Sequence, residues 1–284
     1  EDHWDAELSS GYDALRTVGK GEAADLAIVV PEYMADNLPL HQIFKSFPVG
    51  PAGAQQVSFF RRVYAEIPEF SNELAANNAV PVFLATGYPV AFYGTQPLAT
   101  LADIKGQKWR SASFWHLDFL KSAGAVPVTM HWGEEVYKAL AARTLDGLMV
   151  NVDSGYLLKV HETAPNVLLS RRLWLGHLNL LTMNRATWEG LAPADKAAVQ
   201  RAAETAYATL GTVMDSSLDA MVDGLKRDGA NVRQLSDDEV EAWKATTRAS
   251  EVQSAWVDKQ EAKGVKEVGV VLQKVQAIMN DAVR

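Results

Sequence analysis

Along residues 100–150 the spacing of apolar positions switches between the strand period of two and the helical period of 3.6. Thr100, with Asp103 three residues later, forms a capped turn. QKWR (107–110) follows as a strand, residues 112–123 as a helix stopped by Gly124, and AVPVTM (125–130) as a second strand. EEVYKALAART (134–144) sets Val136, Leu140 and Ala141 on one helical face, and LDGLMV (145–150) turns into a third strand. The order βαβαβ predicts an α/β fold whose mostly parallel sheet carries helices on its faces.

An earlier stretch has the same order. YDALRTVGKGEAADLAIVVPEY (12–33) runs helix, acidic turn, apolar strand and loop; EEVYKALAARTLDGLMVNVDSGY (134–156) repeats it, Asp25 answering Asp146 and Tyr33 answering Tyr156. The repetition suggests two lobes of one design rather than a single sheet. The last third is helical. Residues 191–225 have Pro193 near their start and apolar residues at helical spacing. At roughly 1.5 Å per residue such a helix approaches 50 Å, long enough to run across both lobes. Ser236 and Glu239 form a capping box in front of a helical segment that continues to Gly264, and VGVVLQKVQAIMNDAV (268–283) closes the chain. No proline-rich or glycine–serine linker intervenes, so the lobes exchange chain several times.

The 284 residues allow two domains or one large one. Apolar residues at 48% and charged residues at 22% are ordinary globular usage, which argues against disorder. The longest apolar runs, such as LAIVV (26–30), are of strand length and too short to span a bilayer. A formal charge of −8 disfavours nucleic acid and anionic membranes as partners. It leaves room for a small anion, because salt screens distant charge beyond roughly 10 Å. The absence of cysteine removes disulfides, thiolate metal sites and cysteine nucleophiles, and suits a cytosolic or a periplasmic protein. EDHWDAEL opens the chain with neither an initiator Met nor a signal pattern, as a processed or truncated start would.

No serine-hydrolase elbow, HExxH, phosphate loop or dinucleotide fingerprint occurs. The six histidines are scattered; His116 and His131 flank the 106–132 block, but lone histidines are more often hydrogen-bonded structure than metal ligands. Glu134 and Glu135, like Asp237 and Asp238, sit where carboxylates complement a helix dipole. Arg110 is different. It ends a strand immediately before a helix start, the place where ligands bind in parallel α/β sheets. Its planar fork fits a carboxylate bidentately. Trp132 follows the next strand, and Asn151 and Asp153 the one after. The competing account is a surface arginine paired with Asp103 or another acid.

Several segments together resemble a known family: GYDALRTVGKGEAADLAIVVPEYMAD (11–36), ADIKGQKWR (102–110), GAVPVTMHWGEEVYKALAARTLDGL (124–148) and LTMNRATWEGLAPADKAAVQRAAETA (181–206). In order and spacing they are similar to the periplasmic solute-binding subunits of tripartite ATP-independent periplasmic (TRAP) transporters, the DctP type. The resemblance implies an α/β, two-lobe periplasmic-binding-protein-like clamp with mostly parallel sheets and a long helix spanning both lobes. It implies a periplasmic monomer that delivers a small organic acid to TRAP permease subunits, without catalysis, metal or cofactor. The family's carboxylate-gripping arginine falls on Arg110 and its packing aromatic on Trp132. Its often pocket-facing position four residues after the arginine is Phe114. Its asparagine falls near Asn151, although strict counting reaches Val150. The loop after LAIVV offers Glu32 and Tyr33, and the second lobe crossing offers Trp174 and His177.

Two departures matter. Pro89 stands where many members carry a second arginine, which favours a monocarboxylate over a dicarboxylate. The strand and helix that normally precede the EDHWDAEL segment are missing. Lobe I is expected over 1–86 and 176–215, and lobe II over 87–175 and 216–284. An ABC-type or sensory binding protein would use the same clamp with another partner. An α/β enzyme would use His116 or His177 as base with Arg110 orienting an acid, and a bare scaffold would bind no carboxylic acid at all.

Overall fold

A computed structural model of the chain describes residues 2–4, 6–130 and 132–283; His131 lies outside the described residues. Its strands are β1 (Leu26–Val29), β2 (Ala79–Thr86), β3 (Val90–Gly94), β4 (Lys108–Ser111), β5 (Val126–Thr129), β6 (Gly147–Asn151), β7 (Asn166–Leu169), β8 (Leu178–Asn184) and β9 (Asn231–Gln234). They form two sheets, ordered β1-β8-β2 and β5-β4-β6-β3-β7-β9.

The expected βαβαβ unit is β4, helix Phe114–Ser122, β5, helix Glu134–Ala141 and β6. β4 lies between β5 and β6 and runs parallel to both. β7 and β9 are also parallel, while β3 is antiparallel to both β6 and β7, so three of the five pairings in this sheet are parallel. β3 and β6 are buried along their whole length, which is why VAFYG and GLMVN carry no polar alternation. Their alternate residues feed two cores: Val90, Phe92 and Met149 on one face, Ala91, Tyr93, Leu148 and Val150 on the other. Gly147 is forced by packing, since a Cβ there would lie 2.4 Å from the Trp109 ring across the β4–β6 pair.

In the smaller sheet β1 and β2 run in the same direction with β8 antiparallel between them. The parallel character expected for both sheets is therefore confined, in this one, to strands that are not neighbours. The physical cause is the return strand: β8 re-enters this sheet from the second and can slot between β1 and β2 only in the opposite sense. β1 sits at an edge, with Leu26 and Ile28 exposed.

The chain passes between the sheets at 87–89 and again at 170–177. The two crossings touch through Val90 N–H donating to the Leu173 carbonyl. The helix Pro193–Arg227 spans 35 residues, about 52 Å at the standard rise. It packs on Gly53–Glu66 and β2 near one end and on Val152–Leu157 and β9 near the other, so it bridges both sheets. The segment after Ser236, expected as one helix, is two, Asp237–Thr246 and Ala249–Ala262, with Arg248 at φ +52° between them. Thr246 and Thr247 explain the break: their hydroxyls bond the carbonyls of Ala242 and Lys244 and compete with the helical ladder. The closing helix Val268–Ala282 packs back on Gly53–Glu66.

Candidate functional site

Arg110 pairs across the sheet with Val128 and Leu148, and its side chain is buried, with 1% of the residue exposed. Nε and Nη2 both donate to the Met130 carbonyl, at 2.9 and 2.6 Å. The Trp132 ring covers the guanidinium, with its centroid 5.4 Å from Cζ. Among the described residues Arg110 makes no ion pair. Asp103, the acid that would have explained it as a surface pair, accepts instead from the backbone of Ala99 and Thr100, both at 2.8 Å. Burial pulls the Arg110 pKa down to about 10, opposed by Tyr33, so the group stays cationic at neutral pH. A buried charge without a counter-ion is costly, and among the described residues Arg110 spends its donors only on the Met130 carbonyl.

Tyr33 approaches from the other sheet. It lies in the turn Pro31–Met34 directly after β1, stacks on Tyr12 at 4.5 Å and remains 40% exposed. Burial raises its phenol pKa, Tyr12 adds to that, and the Arg110 charge opposes it; the phenol is thus within electrostatic reach of the guanidinium.

The neighbouring Glu32 points elsewhere, into an ion pair with Lys45 from the turn Leu40–Ser46. Lys45 is buried, and burial pushes its pKa down to about 7. His177 lines the same pocket as Glu32 and Lys45, together with Gln42 and Gly176. Its Nε2 faces Asn179 Oδ1 at 3.2 Å, while its buried Nδ1 has no hydrogen-bond partner among the described residues. From the second sheet's side, His116 stands 3.5 Å from Ser111 Oγ. Burial first, and the Lys45 charge second, push both imidazoles down to about 3, so both are neutral at physiological pH.

The structure thus brings Arg110 and Trp132 together, with Tyr33 near enough for the charge to act on its phenol, and sets Glu32 and His177 around Lys45. Phe114 opens the helix after Arg110, is 40% exposed and packs on Trp115. Asn151 ends β6, and its amide donates to Asp153 and, at 2.9 Å, to Ser154. Val150, one residue earlier, faces the apolar core with Ala91 and Leu148. Trp174 is buried against Phe59 and Phe60 and donates its indole N–H to the Phe44 carbonyl at 2.6 Å. Lys45 escaped the sequence reading. Its signal was a single charged residue among the bulky apolar residues of IFKSF, a position where a charge needs a reason.

No helix among the described residues is long and apolar enough to cross a membrane, and no group of three or more His, Asp or Glu there could hold a metal ion. The profile of bacterial extracellular solute-binding protein family 7, DctP, matches residues 70–256. The ectoine-binding periplasmic protein TeaA of Halomonas elongata is 25% identical over 237 residues, which cover 80% of this chain and 67% of that protein. Two solved structures share the fold. A TRAP solute-binding protein of Rhodoferax ferrireducens with copurified benzoate superposes with a TM-score of 0.79 at 20% identity, covering 98% of this chain and 85% of that one. A TRAP periplasmic solute-binding protein of Chromohalobacter salexigens with bound D-glucuronate gives 0.78 at 21% identity, covering 98% and 88%.

Proposed function

The chain belongs to bacterial extracellular solute-binding protein family 7, and from that membership we propose that it captures a small monocarboxylate through Arg110 and hands it to a TRAP permease. The family works outside the cytoplasm, in the periplasm, as the ligand-binding component of a transporter; it is not a family of enzymes. What is specific to this reading is the ligand class and the residues that hold it.

One observation carries it. Arg110 is a buried, permanently charged group that makes no ion pair among the described residues and is already oriented by Met130, with donors to spare there. A ligand carboxylate would supply the missing charge and accept from Nη1 and Nη2 together. That bond accounts for about 1.5–3 kcal/mol, whereas micromolar affinity requires about 8 kcal/mol. The balance falls to enclosure of the ligand body, for which Trp132, Tyr33 and Phe114 are the half-exposed aromatics at hand. Trp174 and Val150 lie in the buried cores rather than on an open wall, and Asn151 has its amide held by Asp153 and Ser154. Pro89, in the place of a second arginine, spends its carbonyl on Val152 N–H and offers no charge. The relatives that hold benzoate and D-glucuronate bind acids with a single carboxylate. The same reading divides the monomer into lobes at 1–86 with 176–215 and 87–175 with 216–284, closing about the two crossings; the terminal helix reaches back across that boundary to Gly53–Glu66.

Native mass spectrometry of the purified protein, followed by calorimetry with any captured acid, tests the reading. Wild type should bind a monocarboxylate, and Arg110→Ala should lose about 10- to 150-fold in affinity. An alanine variant with unchanged affinity would remove Arg110 from the site and the proposal with it.

A further inference from the structure

The pocket around Lys45 has a chemistry of its own. Glu32, Gln42, Lys45 and His177 are its polar lining, and Val30, Pro31, Phe44 and Leu178 complete the wall with His41 and Gly176. Its charges cancel, because Lys45 is paired with Glu32. A second carboxylate would meet a cation already neutralised and a glutamate beside it. A purely apolar ligand end would strand an ion pair and the unpartnered Nδ1 of His177 in a dry wall.

A hydroxyl group fits where those two fail. It can donate to a carboxylate oxygen of Glu32 or to His177 Nδ1, and it can accept from the Lys45 ammonium, so one small group satisfies a donor and an acceptor at once. The neutral state of the His177 imidazole suits it to accept at Nδ1. Two pairs of chain neighbours link the pocket to the Arg110 group. Glu32 faces Lys45 while Tyr33 is within reach of Arg110. On the other side, Ser111, next to Arg110, meets His116, which feels the Lys45 charge.

We propose that the Glu32–Lys45–His177 pocket is a hydroxyl-recognition subsite and that the acid held at Arg110 is a hydroxylated one, with its hydroxyl on the far side of the molecule from its carboxylate. The inference rests on the Arg110 reading and adds the substrate class to it. The carboxylate supplies anchoring, and the hydroxyl supplies discrimination. A site built to bond a hydroxyl rejects the analogue that lacks it far more strongly than an apolar wall rejects an added one, because buried polar groups are left unpaired.

The test compares matched acids by calorimetry: benzoate against 3- and 4-hydroxybenzoate, and cyclohexanecarboxylate against its 3- and 4-hydroxy derivatives. The expected result is at least tenfold tighter binding of a hydroxy acid than of its parent in one series. That ratio should fall below about twofold in Glu32→Gln and in the charge-neutral double variant Glu32→Gln/Lys45→Met, which leaves no unpaired ion to unfold the protein. A melting curve checks that each variant is folded, and His177→Phe, which keeps a ring in place, provides a further route to the same ratio. Parents binding as tightly as their hydroxy acids, with Arg110→Ala still abolishing both, would overturn the subsite and leave the Arg110 reading standing. A ratio that persists in all three pocket variants would also overturn it. If no acid binds, or binding survives Arg110→Ala, the monocarboxylate reading fails and the subsite with it.

Discussion

The Met130 carbonyl accepts from both Nε and Nη2 of Arg110, at 2.9 and 2.6 Å, so the loop after one strand holds the guanidinium of the next. This fixes the plane of the fork before any ligand arrives. Lysine has no such second edge. Arg110→Lys should therefore recover less than a tenth of wild-type affinity for a carboxylate, although it keeps the charge. Calorimetry on the two proteins side by side checks this; near-wild-type binding by the lysine variant would show that charge alone suffices.

The same burial has a cost when the cleft is empty. An uncompensated cation in the interior is unfavourable, and an apolar residue of similar length relieves it. Arg110→Met should leave the ligand-free protein as stable as wild type or stabilise it, by up to about 2 kcal/mol, while abolishing stabilisation by ligand. Chemical denaturation of both proteins without ligand measures this. A loss of stability in the methionine variant would mean that the Met130 bonds outweigh the desolvation of the charge.

Trp132 covers the guanidinium and is 40% exposed, so it is free to pack on a ligand as well. A cation–π contact contributes about 0.5–2 kcal/mol, and lost apolar contact with the ligand adds to it. Trp132→Ala should weaken binding about 10- to 100-fold, and Trp132→Phe much less. Ligand titrations of both variants, followed by the remaining tryptophan fluorescence, separate the two outcomes.

His116 and His177 are held neutral with pKa values near 3, by burial and then by Lys45. In the unfolded chain each titrates near pH 6.5. Between those values the unfolded state binds more protons, so folding stability falls as pH drops from about 6.5 toward 3. Each imidazole contributes a slope of at most about 1.4 kcal/mol per pH unit. The melting temperature should decline across that window, and His116→Gln should make the decline shallower. A variant with the wild-type slope would show that His116 is protonated in the folded protein.

Gly176 lies in the second crossing at φ +67°, and a Cβ there would stand 2.0 Å from the Phe44 carbonyl, which also receives the Trp174 indole N–H. Gly176→Ala should cost about 2 kcal/mol or more, a drop of roughly 4–8 °C in melting temperature for a chain of this size. Gly190→Ala serves as the control: nothing lies within 4 Å of its Cβ, and it should be neutral or slightly stabilising.

The local order of this protein was determined by its sequence alone. The βαβαβ unit, both capping boxes, the long helix after Pro193 and the position of Arg110 at a strand end all follow from periodicity and end signals, because helix and strand patterns depend on near neighbours. The segments that resemble the solute-binding subunits run through the same stretches, and the family match at 70–256 includes Arg110 and Trp132. The tertiary structure decided what each side chain does. Asp103 turned out to serve its own backbone rather than Arg110, Trp174 to stack in the core, and Lys45 to meet Glu32 and His177 across chain separations that no local pattern reports. Whether a charge is paired, and which of the two cores each face of β6 meets, depends on partners brought together only when the two sheets close around the crossings. A one-residue difference in register, Val150 or Asn151, changes the face, and only the assembled sheet sets it.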